Sequence, residues 1–514
     1  MMPDPVIISE YDFAIVGDLE KREAKPQPET PFRILLMGDF SGKTSRGQGW
    51  SDGETSGKLR PVAVNRDNID AVLNRMNVEI ALPLAGKNNA PVSIRFAAMD
   101  DFHPDSIYQR LDVFKELRDI REGLDDPAVL AALADELRAA PPKEMEQEMP
   151  PEQPPLQAGG LLDQIIDQAE QPTSRPVSQR SGSQLDTFLQ DIVRPHLVAK
   201  AHPRQQEMIE AVDKAAGELM RMVISHPQFQ AAEAAWRGLA FLVARIETED
   251  KLGVYLLDMS KEELAADLAT DSDLRKSAIY RLLVEEAVQT PGGEPWAVVA
   301  GCYTVEKTLA DIGLLARMAQ VAGAAGAPFI AAAGDRILCG QSLHKIPDPD
   351  DWQPQAEPEM AEAWQLLRSL PEARYVGLAL PRFLLRLPFG ADTEPLDTMI
   401  FDEMGEEGGH HKYLWGNPCL ACALLLGQAF SRQGWRMEAG SIDEISNLPL
   451  HVYRQEGESR TKPCAEVVFS QRAAEMILEA GLMPLLSFLN QDRVRLARFQ
   501  SIAEPPTRLA GPWS

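Results

Sequence analysis

The chain has 514 residues, 44% of them apolar, and carries 51 Lys and Arg against 77 Asp and Glu, a formal charge of −26. That length allows about two to four domains with sizeable cores, and the acidic surplus argues against nucleic acid, which is bound by clustered Lys and Arg. The opening MMPDPVIISEYDF lacks the basic start and apolar run of a secretory leader, and the small-residue stretch 321–333 (VAGAAGAPFIAAA) is too short for a bilayer, so no membrane insertion is expected. Five cysteines in apolar surroundings (Cys302, Cys339, Cys419, Cys422, Cys464) fit reduced core thiols better than a disulfide frame, and the expected compartment is the cytoplasm.

Residues 1–140 read as a small α/β domain. Phe32 to Phe40 (FRILLMGDF) reads as a buried strand by its run of apolar residues. A helix is predicted over 66–76, opening at Asp67, followed by a strand pair at 78–84 (VEIALPL) and 91–98 (PVSIRFAA). A longer helix is predicted over 103–122, with Pro104 near its start and Ile107, Leu111, Phe114 and Leu117 on one stripe, and another over 127–139.

Residues 141–184 read as an acidic, Pro-rich linker, since 141–155 (PPKEMEQEMPPEQPP) has no apolar periodicity and 171–184 is rich in Pro, Ser and Gln. Between these tracts, 160–169 predicts a short amphipathic helix with Leu161, Leu162, Ile165, Ile166 and Ala169 on one face. So short a helix is not stable alone in water and calls for a groove, on this protein or on a partner.

Residues 185–250 predict helices over 185–200 and 204–247. From 251 to 514 strands and helices alternate. Strands are predicted at 254–259, 296–303, 327–333, 374–381, 448–454, 464–470 and 482–488, and helices at 261–269, 273–289 and 307–325. The predicted fold class is mixed α/β.

Two motifs invite a chemical reading. Gly38-Asp39-Phe40-Ser41-Gly42-Lys43-Thr44 follows a strand as a phosphate loop does, but holds three residues where that loop has four between its first Gly and the Gly-Lys pair. A strand-ending turn is the simpler reading. Cys419 and Cys422 form a CxxC without a second pair at zinc spacing, and the adjacent His410 and His411 do not share a helix face. No catalytic, cofactor or metal site is predicted.

The stretches 32–44 (FRILLMGDFSGKT), 61–70 (PVAVNRDNID) and 101–117 (DFHPDSIYQRLDVFKEL) resemble the small sheath subunit of type VI secretion systems, the TssB or VipA family. A second, ordered set resembles the large sheath subunit, TssC or VipB: 226–242 (HPQFQAAEAAWRGLAFL), 254–264 (VYLLDMSKEEL), 292–296 (GGEPW), 311–331, 381–390 (PRFLLRLPFG), 414–417 (LWGN), 434–435 (GW) and 481–486 (GLMPLL). The resemblance implies two subunits, normally separate, fused into one composite sheath-like fold, the large one truncated at its C-terminus.

It implies a structural, non-enzymatic component of a contractile sheath, or a cap or accessory subunit. Self-assembly or other sheath subunits, an inner-tube protein, a baseplate and a ClpV-type ATPase are the implied partners. In the large-subunit family a Leu-Leu-Asp-x-Ile/Leu helix near the N-terminus is the handle for that ATPase, which makes Leu161, Leu162, Ile165 and Ile166 the implied partner-binding residues. A soluble adaptor that binds sheath or baseplate without polymerising is the alternative, and a phosphate-binding enzyme using 38–44 is a third.

Overall fold

The computed structural model describes residues 26–48, 59–83, 91–125, 205–248, 251–353, 357–405, 408–455 and 457–513. The linker 141–184 with its helix 160–169, and the helices predicted over 127–139 and 185–200, lie outside these residues. The fold is mixed α/β.

The described strands, in chain order, are β1 (Phe32–Gly38), β2 (Val62–Val64), β3 (Val78–Leu82), β4 (Val92–Phe96), β5 (Leu252–Asp258), β6 (Val298–Val305), β7 (Phe329–Ala333), β8 (Val376–Leu380), β9 (Phe383–Leu384), β10 (Trp415–Gly416), β11 (Glu444–Ile445), β12 (His451–Gln455), β13 (Glu458–Lys462), β14 (Met483–Ser487) and β15 (Val494–Leu496). Nine form one sheet in the order β11-β15-β14-β8-β7-β6-β1-β5-β2. Its centre, from β14 to β5, is parallel, while β2, β15 and β11 pair antiparallel at the margins. Central parallel strands are covered on both faces, which is why β7 (FIAAA) and β8 (VGLAL) are apolar without alternation and buried throughout.

β1 lies inside this sheet. It runs in register with β5 from Phe32 opposite Leu252 to Gly38 opposite Asp258, and with β6 from Ile34 opposite Val298 to Met37 opposite Gly301. The N-terminal and C-terminal stretches therefore build one body, and Leu35 and Met37 share a core with Leu257, Val299, Ile312 and Leu315.

Helices Leu309–Ala325 and Pro418–Gln433 are buried along most of their length. Their starts are fixed by the side chains of Thr308 and Asn417, which accept from the amides of Asp311 and Cys419. Gly238 of helix Pro227–Arg245 lets Leu420 approach: a Cβ there would sit 2.3 Å from the leucine Cδ1. The predicted pair β3–β4 forms an antiparallel hairpin, and Phe96 behind it stacks on Phe102 at 4.0 Å and meets Phe229 edge-on at 5.9 Å.

The chain divides into two compact units, Met1–Val113 with Gly217–Ser514, and Phe114–Ala216. In the second, helix Lys115–Asp125 carries Arg121, whose Nε donates to Asp213 Oδ1 at 2.9 Å.

Four readings change. The helix expected over 103–122 is broken at Leu111, whose backbone is extended (φ −81°, ψ 133°), leaving Pro104–Arg110, a 3-10 turn at Asp112–Phe114 and Lys115–Asp125. The strand expected at 464–470 is irregular, because its backbone bonds to Arg382 and Leu384 at two points only and so makes no ladder. Residues 448–454 supply β12, in a hairpin with β13, whereas the strand expected at 374–381 begins only at Val376, after a 3-10 turn at Pro371–Tyr375. Within 273–289 the chain is a 3-10 turn at Leu274–Lys276, a short α segment at Ala278–Tyr280 and a π-helix at Arg281–Gln289.

Candidate functional site

The turn at 38–44 is saturated from within. Asp39 accepts the amides of Lys43 and Thr44, both at 2.9 Å. Asp258, at the end of β5, accepts the amides of Phe40 and Ser41 at 2.9 and 3.0 Å and the Ser41 hydroxyl at 2.8 Å. Carboxylates thus occupy the amides that would have to face a phosphate. Lys43 lies 2.9 Å from Asp258 and 3.4 Å from Glu263. Burial acts to lower its pKa, but the two carboxylates outweigh it and hold the ammonium above its ordinary value. Gly42, at φ +77°, lets the turn pass the Glu79 carbonyl, which a Cβ would meet at 2.4 Å.

The motif residues of the N-terminal stretch meet those of the C-terminal one. Trp236 of AEAAWRGL donates its indole N–H to the Phe40 carbonyl at 2.9 Å, and the two rings pack edge to face at 5.7 Å. Asp105 of the His-Pro-Asp helix start accepts the amides of Asp397 and Thr398 at 3.0 and 3.1 Å and the Thr398 hydroxyl. Phe32 packs on Phe430 and Trp435 of the Gly-Trp pair at 4.8 and 5.5 Å.

Arg386 of PRFLLRLPFG anchors a buried charge network. Its guanidinium donates to Glu233 at 2.8 and 3.2 Å and to Glu403 at 2.7 and 3.0 Å, and lies 4.1 Å from the Phe389 ring. Arg237 Nε adds a second cation to Glu233 at 2.7 Å, so two carboxylates face two guanidinium groups. Burial raises both acids' pKa; with two cations Glu233 ends below its ordinary value, while Glu403, served by Arg386 and repelled by Glu233, ends above. Such a network fixes geometry and has no open face for a substrate.

The handle residues Leu161, Leu162, Ile165 and Ile166 lie outside the described residues. Cys419 and Cys422 are buried in the helix Pro418–Gln433, and Cys419 Sγ lies 4.0 Å from Cys302 Sγ, a proximity that the CxxC spacing does not reveal. Sequence reasoning also missed Glu466 and His344. Glu466 takes both Arg382 (2.9 and 2.6 Å) and His410 (2.9 Å), and His344 stacks on His410. The adjacent histidines were the one signal, and only the first of them enters the cluster. Among the described residues no group of three or more His, Cys, Asp or Glu could hold a metal ion, and no helix is long and apolar enough to cross a membrane.

Residues 13–140 match the family described as "Type VI secretion system, VipA, VC_A0107 or Hcp2". Type VI secretion system sheath protein TssC1 of Pseudomonas aeruginosa is 32% identical over 58% of this chain and 61% of its own length, so the chain spans about six-tenths of that relative. Sheath protein TssB1 of the same organism is 26% identical over 28% of this chain and 90% of its own length. Residues 206–503, more than half of the chain, match the family described as "EvpB/VC_A0108, tail sheath N-terminal domain", and the chain belongs to that family.

Proposed function

We propose that this chain is a structural component of a type VI secretion sheath, or a sheath-like cap or accessory subunit, in which a small-subunit-like segment and a large-subunit-like segment act as one protomer around an inner tube. One observation carries the reading: β1, from the stretch 13–140 that matches the VipA family, fills the sheet between β5 and β6 of the stretch 206–503 that matches the tail sheath family. Other sheath subunits or further copies of this chain, the inner-tube protein and the baseplate are the partners this role requires, and the cytoplasm is its compartment. The work is mechanical and needs no reaction, which fits motif residues spent on ion pairs and packing.

The segment 160–169 is the proposed handle for a ClpV-type ATPase, its Leu161, Leu162, Ile165 and Ile166 entering a groove by the helix-in-groove mode. A peptide of residues 157–172 should bind that ATPase's N-terminal domain at about micromolar strength, and Leu162→Asp or Ile166→Asp should abolish binding without unfolding the protein. Electron microscopy of the purified chain, alone and with the inner-tube protein, tests the main reading. Rings, short stacks or one-ended binding to a sheath are expected. Monomers that attach to neither tube nor sheath refute it.

A further inference from the structure

The loops that leave the carboxyl ends of β7 and β8 converge with the turn His410–Lys412 and the end of β13 on a cluster of titratable side chains. The His344 and His410 imidazoles stack with centroids 3.8 Å apart and planes 7° from parallel, and the Trp415 indole lies 5.1 Å from the His410 ring at 28°. His410 Nε2 is 2.9 Å from Glu466 Oε1, and His410 Nδ1 is 3.2 Å from Lys462 Nζ. Both ring nitrogens are therefore committed. An ammonium can only donate, so Nδ1 accepts, and the ring proton sits on Nε2 and is donated to the carboxylate.

A proton added to His344 would stack a cation on a ring already beside Lys462. The charged groups acting on the pair are few. Lys462 and Lys345 oppose His344 protonation, and Glu466 favours it while already neutralising Arg382. Asp335 acts on Arg382, and Lys412 turns away to the Met404 carbonyl. His451 enters through Tyr413, whose hydroxyl is 2.8 Å from its Nδ1.

We propose that the His344–His410 stack is a proton-operated latch: with His344 neutral, the stacked rings hold the 334–346 loop to the 408–415 segment and, through Lys462, to hairpin β12–β13; a proton on His344 parts them and releases these segments from one another. The inference does not depend on whether the chain assembles. Its electrostatic sense agrees with the environment. Burial, then His410 and Lys462, hold His344 below its ordinary pKa, and burial lowers Lys462. Burial alone would raise Glu466, but Arg382 and His410 outweigh it and hold the acid at about 2, so Glu466 remains a carboxylate through the range in which imidazoles titrate. A group whose folded pKa is depressed binds its proton more readily when unfolded, so the latch weakens as the pH falls below about 6.5.

Hydrogen exchange on the full chain at pH 7.5 and 5.5, corrected for intrinsic rates, tests this. Amides in 340–346 and 409–413 should exchange roughly ten-fold faster at the lower pH. Tryptophan fluorescence should change over the same range, because parting of the stack alters the surroundings of Trp415, and Trp415→Phe should lose that part of the change. His344→Phe keeps a stacking ring that cannot titrate, and His410→Gln removes the committed nitrogens. Each should cut the acid-induced exchange at least about three-fold while leaving the circular dichroism at pH 7.5 unchanged. If either variant fails to fold, the other carries the test. Equal exchange at both pH values in the wild type, or an undiminished acid response in the folded variants, overturns the proposal.

Discussion

Replacing Arg386 by Met removes the cation that serves both Glu233 and Glu403. Both carboxylates are fully buried, and the Arg386 side chain is 6% exposed, so water cannot take its place. Glu233 keeps Arg237, whereas Glu403 keeps only the Phe389 amide at 2.7 Å. Breaking a buried ion pair from one side costs about 3–5 kcal/mol. At roughly 2–4 °C per kcal/mol, typical of domains of 150–250 residues, the apparent melting point should fall by several degrees at pH 7.5. The loss should shrink on acidification. With Arg386 gone Glu403 has no cation beside it and burial keeps its folded pKa above the unfolded one, so the folded state takes up that proton first and regains stability as the pH drops. The triple change Arg386→Met, Glu233→Gln, Glu403→Gln removes the stranded charges and should recover more than half of the deficit. Chemical denaturation at pH 7.5 and 5.5 measures both effects. A single variant within about 1 kcal/mol of wild type, or a triple variant less stable than the single, would refute the account of the network.

Lys43→Ala should cost about 0.5–1.5 kcal/mol in the same assay, more than an exposed turn lysine would, because Asp258 and Glu263 lose their shared cation. It should leave no nucleotide-dependent change to lose, since ATP and GTP should not shift the wild-type melting point. Asp105→Ala strands two amides and a hydroxyl of 397–398 and should cost about 2–3 kcal/mol. Trp236→Phe preserves most of the packing but leaves the buried Phe40 carbonyl without its donor, a loss of about 1–3 kcal/mol by denaturant midpoint.

The central strands were legible because a parallel strand covered on both faces is apolar at nearly every position, as 32–38 (Arg33 apart), 329–333 and 376–380 are. The short marginal strands β2, β11 and β15 carry too few residues for a period to show, and none was expected. The stripe Ile107, Leu111, Phe114, Leu117 looked like one helix face because burial, not helicity, sets which residues are apolar; Leu111 is buried with an extended backbone. In 464–470 the same confusion ran the other way, since Cys464, Ala465, Glu466 and Val467 are all buried without a strand partner along their length. That Glu466 lies in such a run, paired with Arg382 and His410, has no local signature. Neither has the stacking of His344 on His410, which depends on loops joined only by the topology. The motif stretches were legible as a set, and the structure gives their physical content: Phe40, Asp105, Trp236, Asp258 and Arg386 are the points at which distant parts of the sheet body are tied together.

An interior β1 has a consequence for the fused arrangement. Its Phe32, Ile34, Leu35, Leu36 and Met37 are fully buried. At about 1.5–3 kcal/mol per large apolar side chain, their removal forfeits roughly 10 kcal/mol, comparable with the whole stability of a typical domain. It also exposes the facing edges of β5 and β6, which would pair with other chains. Residues 185–514 expressed alone should therefore be insoluble or aggregated. Co-expression with residues 1–140 should restore a soluble complex, because the contact is supplied by the strand and its apolar faces and not by the covalent link. The covalent link adds effective concentration, so the two-piece complex should dissociate on dilution where the single chain does not. Size-exclusion chromatography of the co-expressed pieces over a dilution series reads this directly. A soluble, monomeric 185–514 with wild-type melting behaviour would show that β1 is dispensable, and the view of the two segments as one protomer would fall with it.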